Sequence, residues 1–568
     1  MMERRRRPVT RLAFATLIPL AAAAGLLASA SSGSASSGSA TAGPATGAVR
    51  LPEDVSSGPA FATIAQDDVE GYINVLASPS MEGRDTPSEG QARAAAYLIG
   101  KYREWGYEPA PDSLQVMGDF GGDGPDANAE GGTFYRPFLR EVNAPDPEAC
   151  ALVLVKDGET VEFEYGKDFV PVHRASGSAR GELVFGGFGI DSSKEKYDDF
   201  KGVKVRGRVV LLFEGEPRHR SKFEGEEVTA AGSLFTKLAT LNEQGAAAAL
   251  VVRRAPVGGE DDEENLLDYR YTYAQFLSGG RPASGSRSPS KSLPTLEISM
   301  DVATQLLGQD ARKLAAKMDK SARPTKVKLK GIEVSVDSAT ERKSIRHDNV
   351  VCVLPGSDPE LSKEYVLVGA HYDHIGVGPR GRVGCGANDN GSGCSALLEV
   401  AQALAEAPPR RSVILAHFTG EEDGLIGARE LAKRLPVEQK QIICMINLDM
   451  IGFGDENEVA VLGVKRNPKM QKVLDRAKRL DKTGVKSVVT GKGEELWQRS
   501  DHYEFHQVGL PVLFFFEGLP ISNDKNYHTY RDTVDAVNLE KITNTARLVY
   551  NSVWILANDD ERPPEPRD

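Results

Sequence analysis

The feature that most constrains the fold is an alternation of short apolar runs with helix-like segments from about Asn349 to Ala557. The first run, Tyr365-Val-Leu-Val-Gly-Ala-His, lacks polar alternation, which is typical of a strand buried on both faces. Such alternation predicts an α/β fold whose mostly parallel, mixed sheet is sandwiched by helices. The further strands are predicted at 412–418, 441–448 and 510–516, and the helices at 392–407, 425–435, 468–480 and 539–557.

Chain length and local composition predict further segments. A chain of 568 residues has room for two or three domains. Helical periodicity at 68–78 and 89–105 predicts that residues 65–164 begin the main domain, which continues over 311–557. Between them, residues 165–310 carry short β-like runs and predict a small inserted β-rich module. Residues 31–64 predict a low-complexity linker, and residues 558–568 a disordered tail.

The first thirty residues have the layout of a signal peptide. Arg4 to Arg7 precede an apolar stretch, and small residues follow at Ala28-Ser29-Ala30. The apolar stretch is short for a membrane span. We therefore expect export to the periplasm or the extracellular space, without stable membrane insertion after signal removal. The net charge of −12 argues against a nucleic-acid partner, for which a basic face is expected.

The five cysteines do not form the pattern of a disulfide framework. Cys385 and Cys394 bracket a Gly-rich turn, so an exported chain could bridge them. Alternatively, Cys394 is a small buried residue at the start of a helix, which is the reading that we favour.

Acidic and histidine side chains follow the predicted strands at their carboxyl ends, where ligands of such sheets bind. Each has an ordinary explanation when taken alone, such as a capped turn or a surface carboxylate. Together they predict a metal site. The candidates are His371, Asp373, Asp389, Glu421, Glu422, Asp449, Tyr527 and His528.

The spacing of these residues indicates their chemistry. In an extended segment His371 and Asp373 face the same way, so the carboxylate can fix the tautomer of a ligating imidazole. If the backbone is locally extended, Glu421 and Glu422 face opposite ways, so one can ligate metal while the other acts as a base. Two Zn²⁺ ions, three carboxylates and one bridging hydroxide would give a neutral core. The sequence contains no His-Glu-x-x-His motif, which excludes a single-zinc protease of that type.

Five motifs occur in an order that resembles a known family. They are Gly-Ala-His-Tyr-Asp-His, Gly-Ala-Asn-Asp-Asn-Gly-Ser-Gly, Phe-Thr-Gly-Glu-Glu-Asp-Gly-Leu-Ile-Gly, Asn-Leu-Asp-Met-Ile-Gly and Tyr-His-Thr-Tyr-Arg-Asp-Thr. The chain thus resembles the co-catalytic di-zinc aminopeptidases of peptidase clan MH, whose relatives include glutamate carboxypeptidase, glutaminyl cyclase and the transferrin receptor. The segment 165–310 resembles the protease-associated domain that is often inserted in this family.

The resemblance implies an exported metallo-aminopeptidase that removes N-terminal residues from peptides with a free N-terminus. Asp389 would bridge two zinc ions, one also bound by His371 and Asp449 and the other by Glu422 and His528. A zinc-bridging hydroxide would attack the peptide, with Glu421 as general base. Tyr527 would stabilise the oxyanion, and Ser500-Asp501-His502 resembles a family segment near the site.

Three alternatives stay open. A glutamate-carboxypeptidase-like exopeptidase needs an arginine cluster, for which Arg380 and Arg382 are candidates. A glutaminyl cyclase keeps a single zinc, and a receptor-like binding protein has degraded ligands. All five ligand positions are filled here, which disfavours both of the latter.

Overall fold

A computed structural model gives the fold over most of the chain. It describes residues 59–111, 133–172, 176–219, 223, 229, 231–254, 293–377, 382–480, 484–491, 493–518 and 523–562. The predicted signal peptide and most of the predicted linker lie outside these ranges. Within them, no helix combines the length and the apolar character that a membrane crossing requires.

The larger sheet contains nine of the described strands and carries the site. Its centre is parallel: Tyr365–His371 pairs with Ser412–Phe418 on one side and with Ile442–Leu448 on the other, and Val512–Phe516 follows. The remaining strands are antiparallel to this centre or lie at the edges. They are Glu108–Pro109, Tyr135–Pro145, Thr340–Leu354, Glu458–Leu462 and Ser487–Val489.

Helices cover both faces of this sheet because its central strands are apolar throughout. Val366 and Val368 pack into the larger core, whereas Leu367 packs into the core on the opposite face. The larger core is closed by the helices Gln66–Leu76, Glu89–Glu104, Gly393–Glu406, Met470–Leu480 and Leu539–Asn558. The opposite core is closed by Ile426–Lys433 and His502–Gln507. The expected α/β sandwich is therefore confirmed.

A second sheet of eight described strands lies between the two parts of the larger one in the sequence. Four of its strands, from Gly177–Phe185 to Thr295–Ile298, are parallel neighbours. Its strands are Ala151–Lys156, Glu159–Glu162, Phe169–Pro171, Gly177–Phe185, Val209–Phe213, Ala248–Val252, Thr295–Ile298 and Ile332–Ser338. The helices Leu234–Gln244, Met300–Leu307 and Ala311–Ser321 accompany it.

The limits of this sheet differ from the predicted module at 165–310. Ala151–Lys156 and Ile332–Ser338 pair with each other, and Ile332–Ser338 also pairs with Gly177–Phe185. These two strands, which were assigned to the main domain, thus belong to the second sheet. The sequence did not indicate this, because pairing between distant strands leaves little local signal.

The predicted linker (31–64) and the predicted tail (558–568) also include residues that the structure places in contact with the folded part of the chain. Residues 59–64 were assigned to the linker, but Pro59–Ala62 is a helix, and Ala60 and Ile64 are buried in the larger core. In the predicted tail, Asp560 accepts a hydrogen bond from Arg410 at 2.7 Å. These residues are ordered by contacts with side chains far away in the sequence.

Candidate metal centre

Parallel pairing brings the predicted site residues to one edge of the larger sheet. His371 is the last residue of its strand, Glu421 and Glu422 follow Ser412–Phe418, and Asp449 follows Ile442–Leu448. Because these three strands run in the same direction, their carboxyl ends meet.

The first group of potential ligands is buried and consists of His371, Asp389 and Asp449. The Nε2 atom of His371 lies 3.1 Å from Oδ1 of Asp449 and 3.4 Å from Oδ1 of Asp389. These are three of the residues that the sequence predicts as ligands, and the structure brings them together.

The second group of potential ligands faces the other carboxylate oxygen of Asp389, Oδ2. The Nε2 atom of His528 is 3.2 Å from Oδ2 of Asp389 and 2.9 Å from Oε2 of Glu422. The structure adds a histidine that the sequence did not assign: His374 Nδ1 lies 2.8 Å from Oε1 of Glu422, and His374 forms a potential metal-binding group with Asp389 and Glu422.

These residues fit a zinc centre. Imidazole nitrogens and carboxylate oxygens are the ligands that zinc accepts in hydrolytic sites. Asp389 belongs to both groups and turns a different oxygen towards each, which suits a ligand shared by two ions. Three carboxylates converge here in a buried place, and divalent cations would offset their mutual repulsion.

The two adjacent glutamates have opposite protonation behaviour. Burial raises the pKa of Glu421 well above its usual value. Burial alone would also raise the pKa of Glu422, but His528 and His374 hold it well below the usual value. The environment therefore separates a carboxyl that can carry a proton from one that stays ionised, which is the arrangement of a base beside a ligand.

Tyr527 lies against the second group. Its ring stacks on that of His528 with centroids 3.8 Å apart. Burial raises the pKa of Tyr527 well above 10, so its hydroxyl stays protonated at neutral pH. His528 itself has a φ of 54°, a left-handed conformation that surrounding contacts must hold.

Asp373 contacts both His371 and the glutamate pair. Its carboxylate is 3.6 Å from Nδ1 of His371, while its main-chain oxygen is 3.3 Å from the same nitrogen. The carboxylate also accepts hydrogen bonds from the backbone N–H groups of Glu421 and Glu422, at 3.2 and 3.3 Å. It thereby joins the first motif to the paired glutamates.

Two further residues orient carboxylates of the centre, and the sequence did not single out their roles. Asp532 accepts hydrogen bonds from the backbone N–H groups of Asn388 and Asp389, at 2.7 and 2.9 Å. Ser500 donates to Oδ2 of Asp449 at 2.7 Å. Both lie within segments that resemble family motifs, and this was the available signal.

The turn that carries Asp389 depends on Gly386. This glycine has a φ of 61°, and a Cβ there would lie 2.4 Å from the main-chain oxygen of Asp389 and 2.5 Å from the His374 ring. The helix Gly393–Glu406 begins after this turn. Only glycine therefore permits the close approach of the two loops.

Arg84 links the same two loops through hydrogen bonds. Its guanidinium is buried and donates to the main-chain oxygens of Tyr372 and Gly386, each at 2.8 Å. It also donates to the main-chain oxygens of Leu76 and Cys385, at 2.5 and 2.7 Å. In addition, His374 N donates to the main-chain oxygen of Arg84 at 3.2 Å. The residue is thus a clamp between the His371 and Asp389 segments.

Arg84→Met is therefore expected to destabilise the fold by roughly 3 kcal/mol or more, because it leaves several buried carbonyls without donors. Thermal or denaturant unfolding of the metal-free protein measures this. The matched control is Arg93→Met, since Arg93 pairs with Glu82 at 2.9 Å on the surface and such pairs are worth at most about 1 kcal/mol. Equal effects of the two substitutions would contradict the clamp.

The structure also gives the surroundings of the two cysteines, His417 and Arg382. Cys385 and Cys394 are both free and buried. Cys394 donates to the main-chain oxygen of His371 at 3.0 Å, in agreement with the favoured reading. His417 is a core histidine bonded to the Tyr102 hydroxyl at 2.6 Å. The Arg382 guanidinium lies 4.3 Å from the centroid of the Tyr530 ring, and Arg380 is outside the described residues.

Comparisons with known proteins agree with this fold. Residues 349–553 match the model of peptidase family M28. A probable leucine aminopeptidase of Trichophyton verrucosum is 29% identical over 228 residues, which cover 38% of this chain and 60% of that protein. Aminopeptidase YwaD of Bacillus subtilis is 28% identical over 204 residues, covering 35% of this chain and 43% of that protein. The chain thus spans about half the length of these curated relatives.

Two solved structures share the fold. An aminopeptidase from Aneurinibacillus sp. strain AM-1 has a TM-score of 0.52 at 20% identity, covering 89% of this chain and 98% of that one. The zinc aminopeptidase BSAP from Bacillus subtilis has a TM-score of 0.53 at 17% identity, with the same coverage. The chain therefore shares its fold with these two structures.

Proposed function

We propose that this protein is an exported, zinc-dependent aminopeptidase that binds two zinc ions and releases N-terminal residues from peptides. The observation that carries the proposal is Asp389, which lies between two groups of buried ligand atoms beside the glutamate pair. The relatives named as aminopeptidases support the activity. The signal-like residues 1–30 support export.

In this proposal His371 and Asp449 would hold one ion, Glu422 and His528 would hold the other, and Asp389 would contribute to both sites. When bound, two zinc ions would lower the pKa of a water molecule and polarise the carbonyl under attack. Neutral imidazoles and ionised carboxylates are required for this task. The hydrogen bonds from Ser500 to Asp449 and from backbone N–H groups to Asp373 keep the ligands oriented before substrate arrives.

Glu421 is the proposed general base. Its raised pKa allows it to accept the proton of the attacking water and to return that proton to the leaving amine. Tyr527, whose hydroxyl stays protonated, donates a hydrogen bond to the oxyanion of the substrate. Asp373 holds the backbone of Glu421 and acts as a positioning residue rather than a catalytic one.

We further propose that the segment 165–310, within the second sheet, is a protease-associated domain that limits access to short peptides. Its likeness to such domains in sequence supports this assignment. The pairing of Ile332–Ser338 with Ala151–Lys156 means that a deletion designed to test it must span the whole sheet.

The experiment that tests the function offers short peptides with either a free or an acetylated N-terminus to the zinc-loaded protein. Mass spectrometry follows the products with and without a chelator. We expect stepwise loss of N-terminal residues from the free peptides only, abolished by the chelator. Loss from the C-terminus would instead assign a carboxypeptidase. Absence of cleavage in every peptide would favour the cyclase or receptor-like reading.

A further inference from the structure

We propose that His374 is a positioning residue that orients Glu422 as a zinc ligand, through a hydrogen bond to the carboxylate oxygen that His528 leaves free. The inference rests on the proposed function, in which Glu422 and His528 bind the same ion. The two histidines contact different oxygens: His374 Nδ1 lies 2.8 Å from Oε1, and His528 Nε2 lies 2.9 Å from Oε2. Glu422 is therefore held from both sides.

The packing of the His374 ring explains how it keeps this position. The side chain is fully buried, and its backbone N–H donates to Arg84. Gly386 approaches so closely that a Cβ at that position would lie 2.5 Å from the ring. The His374 and His528 rings meet edge to face, with centroids 5.8 Å apart. A ring held in this way can offer its Nδ1 atom in one direction only.

The distances favour positioning over direct ligation. Ligand atoms of a tetrahedral zinc ion, each about 2.0–2.1 Å from the metal, lie about 3.3 Å apart. The His528 Nε2 atom fits that spacing, at 2.9 and 3.2 Å from the Glu422 and Asp389 oxygens. The His374 Nδ1 atom is 2.8 Å from Glu422 but 3.9 Å from Asp389. It thus fits a hydrogen bond to one carboxylate better than a place in the shared ligand set.

The hydrogen-bonding capacity of the ring agrees. The Nε2 atom of His374 has no hydrogen-bond partner in the part of the chain that the structure describes. A neutral imidazole carries one proton, and Nδ1 is the nitrogen that faces an acceptor. Placing the proton on Nδ1 satisfies the Glu422 oxygen and prevents that nitrogen from binding metal.

Two variants separate the donor from the ring. His374→Phe keeps an aromatic ring against Gly386 and removes the donor. His374→Asn restores an N–H near the position of Nδ1. We expect His374→Phe to lower the binding affinity for one of the two zinc ions by about 10- to 100-fold, which is the usual effect of losing a contact to a metal ligand. The affinity for the other ion should not change. His374→Asn is expected to recover most of the lost affinity.

The measurement is a stepwise metal titration of the full chain. Zinc affinities come from competition with a chelator, and the absorption spectrum of the Co²⁺-substituted protein reports the coordination of each ion. His374→Ala serves as a second donor-free variant should the Phe variant fail to fold, as judged by circular dichroism.

Unchanged zinc affinities in the donor-free variants would overturn the proposal. Complete loss of one ion, with no recovery in His374→Asn and a lower coordination number in the Co²⁺ spectrum, would make His374 a ligand and would also overturn it. A wild-type chain that binds fewer than two ions would refute the proposed function itself, which is a separate and recognisable result.

Discussion

Replacing Glu421 by Gln is expected to lower kcat by about 100- to 10,000-fold, which is the usual contribution of a general acid or base. The amide has nearly the shape of the carboxyl group but cannot accept the proton of the attacking water. Glu421 is absent from both groups of ligand atoms, so the variant should still bind two zinc ions. Steady-state kinetics on the preferred peptide and metal analysis of the same sample measure both quantities.

Glu430→Gln is the matched control for this variant. Glu430 lies on the helix that follows the glutamate pair and forms an ion pair with Lys433 at 2.7 Å on the surface. Its removal should leave kcat within about twofold, because exposed pairs of this kind contribute less than about 1 kcal/mol. If Glu421→Gln retained normal turnover, the general base would have to be another residue.

The second large effect is expected for Asp389→Asn. This substitution removes one negative charge from the carboxylate that belongs to both ligand groups. Both zinc affinities should therefore fall by more than about 100-fold, since even outer contacts contribute 10- to 100-fold. Peptide hydrolysis at limiting zinc should fall with them. Equilibrium dialysis followed by metal analysis gives the stoichiometry directly.

Asp449→Asn provides the comparison. Asp449 belongs only to the group that contains His371. Its substitution should therefore lower the binding affinity for one zinc ion and leave the other ion bound. A result in which Asp389→Asn also lost a single ion would show that Asp389 is not shared. The two-ion assignment would then need a different bridging group.

The strands at the centre of the larger sheet were predictable to within two residues. Tyr365–His371 and Ser412–Phe418 are apolar runs with sharp polar boundaries, and each ends where the sequence indicated. The ligand groups follow from them, because parallel strands carry their end residues to one edge. This is why His371 and Asp449 could be placed together before any contact was known, whereas Asp389 lies in the turn before a helix and was assigned through the family resemblance.

Other parts of the fold lacked a local signal. Thr340–Leu354 begins with the charged residues Glu341, Arg342 and Lys343 and does not resemble a strand. Its residues 340–350 are extended because they pair with Tyr135–Pro145. Pairing partners so far apart in the sequence are set by tertiary structure rather than by local preference.

The supporting residues of the centre were missed for a related reason. Arg84 lies in a polar segment, and its importance comes from four carbonyl groups that only the fold brings together. His374 directly follows Asp373 in the sequence, but its contact is with Glu422, 48 residues later. Spacing along one motif cannot reveal a bond between two motifs.

The most direct test of the account is an anomalous difference map, collected at the zinc absorption edge from crystals of the zinc-loaded protein. Two peaks are expected, one on each side of Asp389. One peak should lie next to His371 and Asp449, and the other next to Glu422 and His528. A single peak, or peaks away from these residues, would contradict the proposed two-zinc centre.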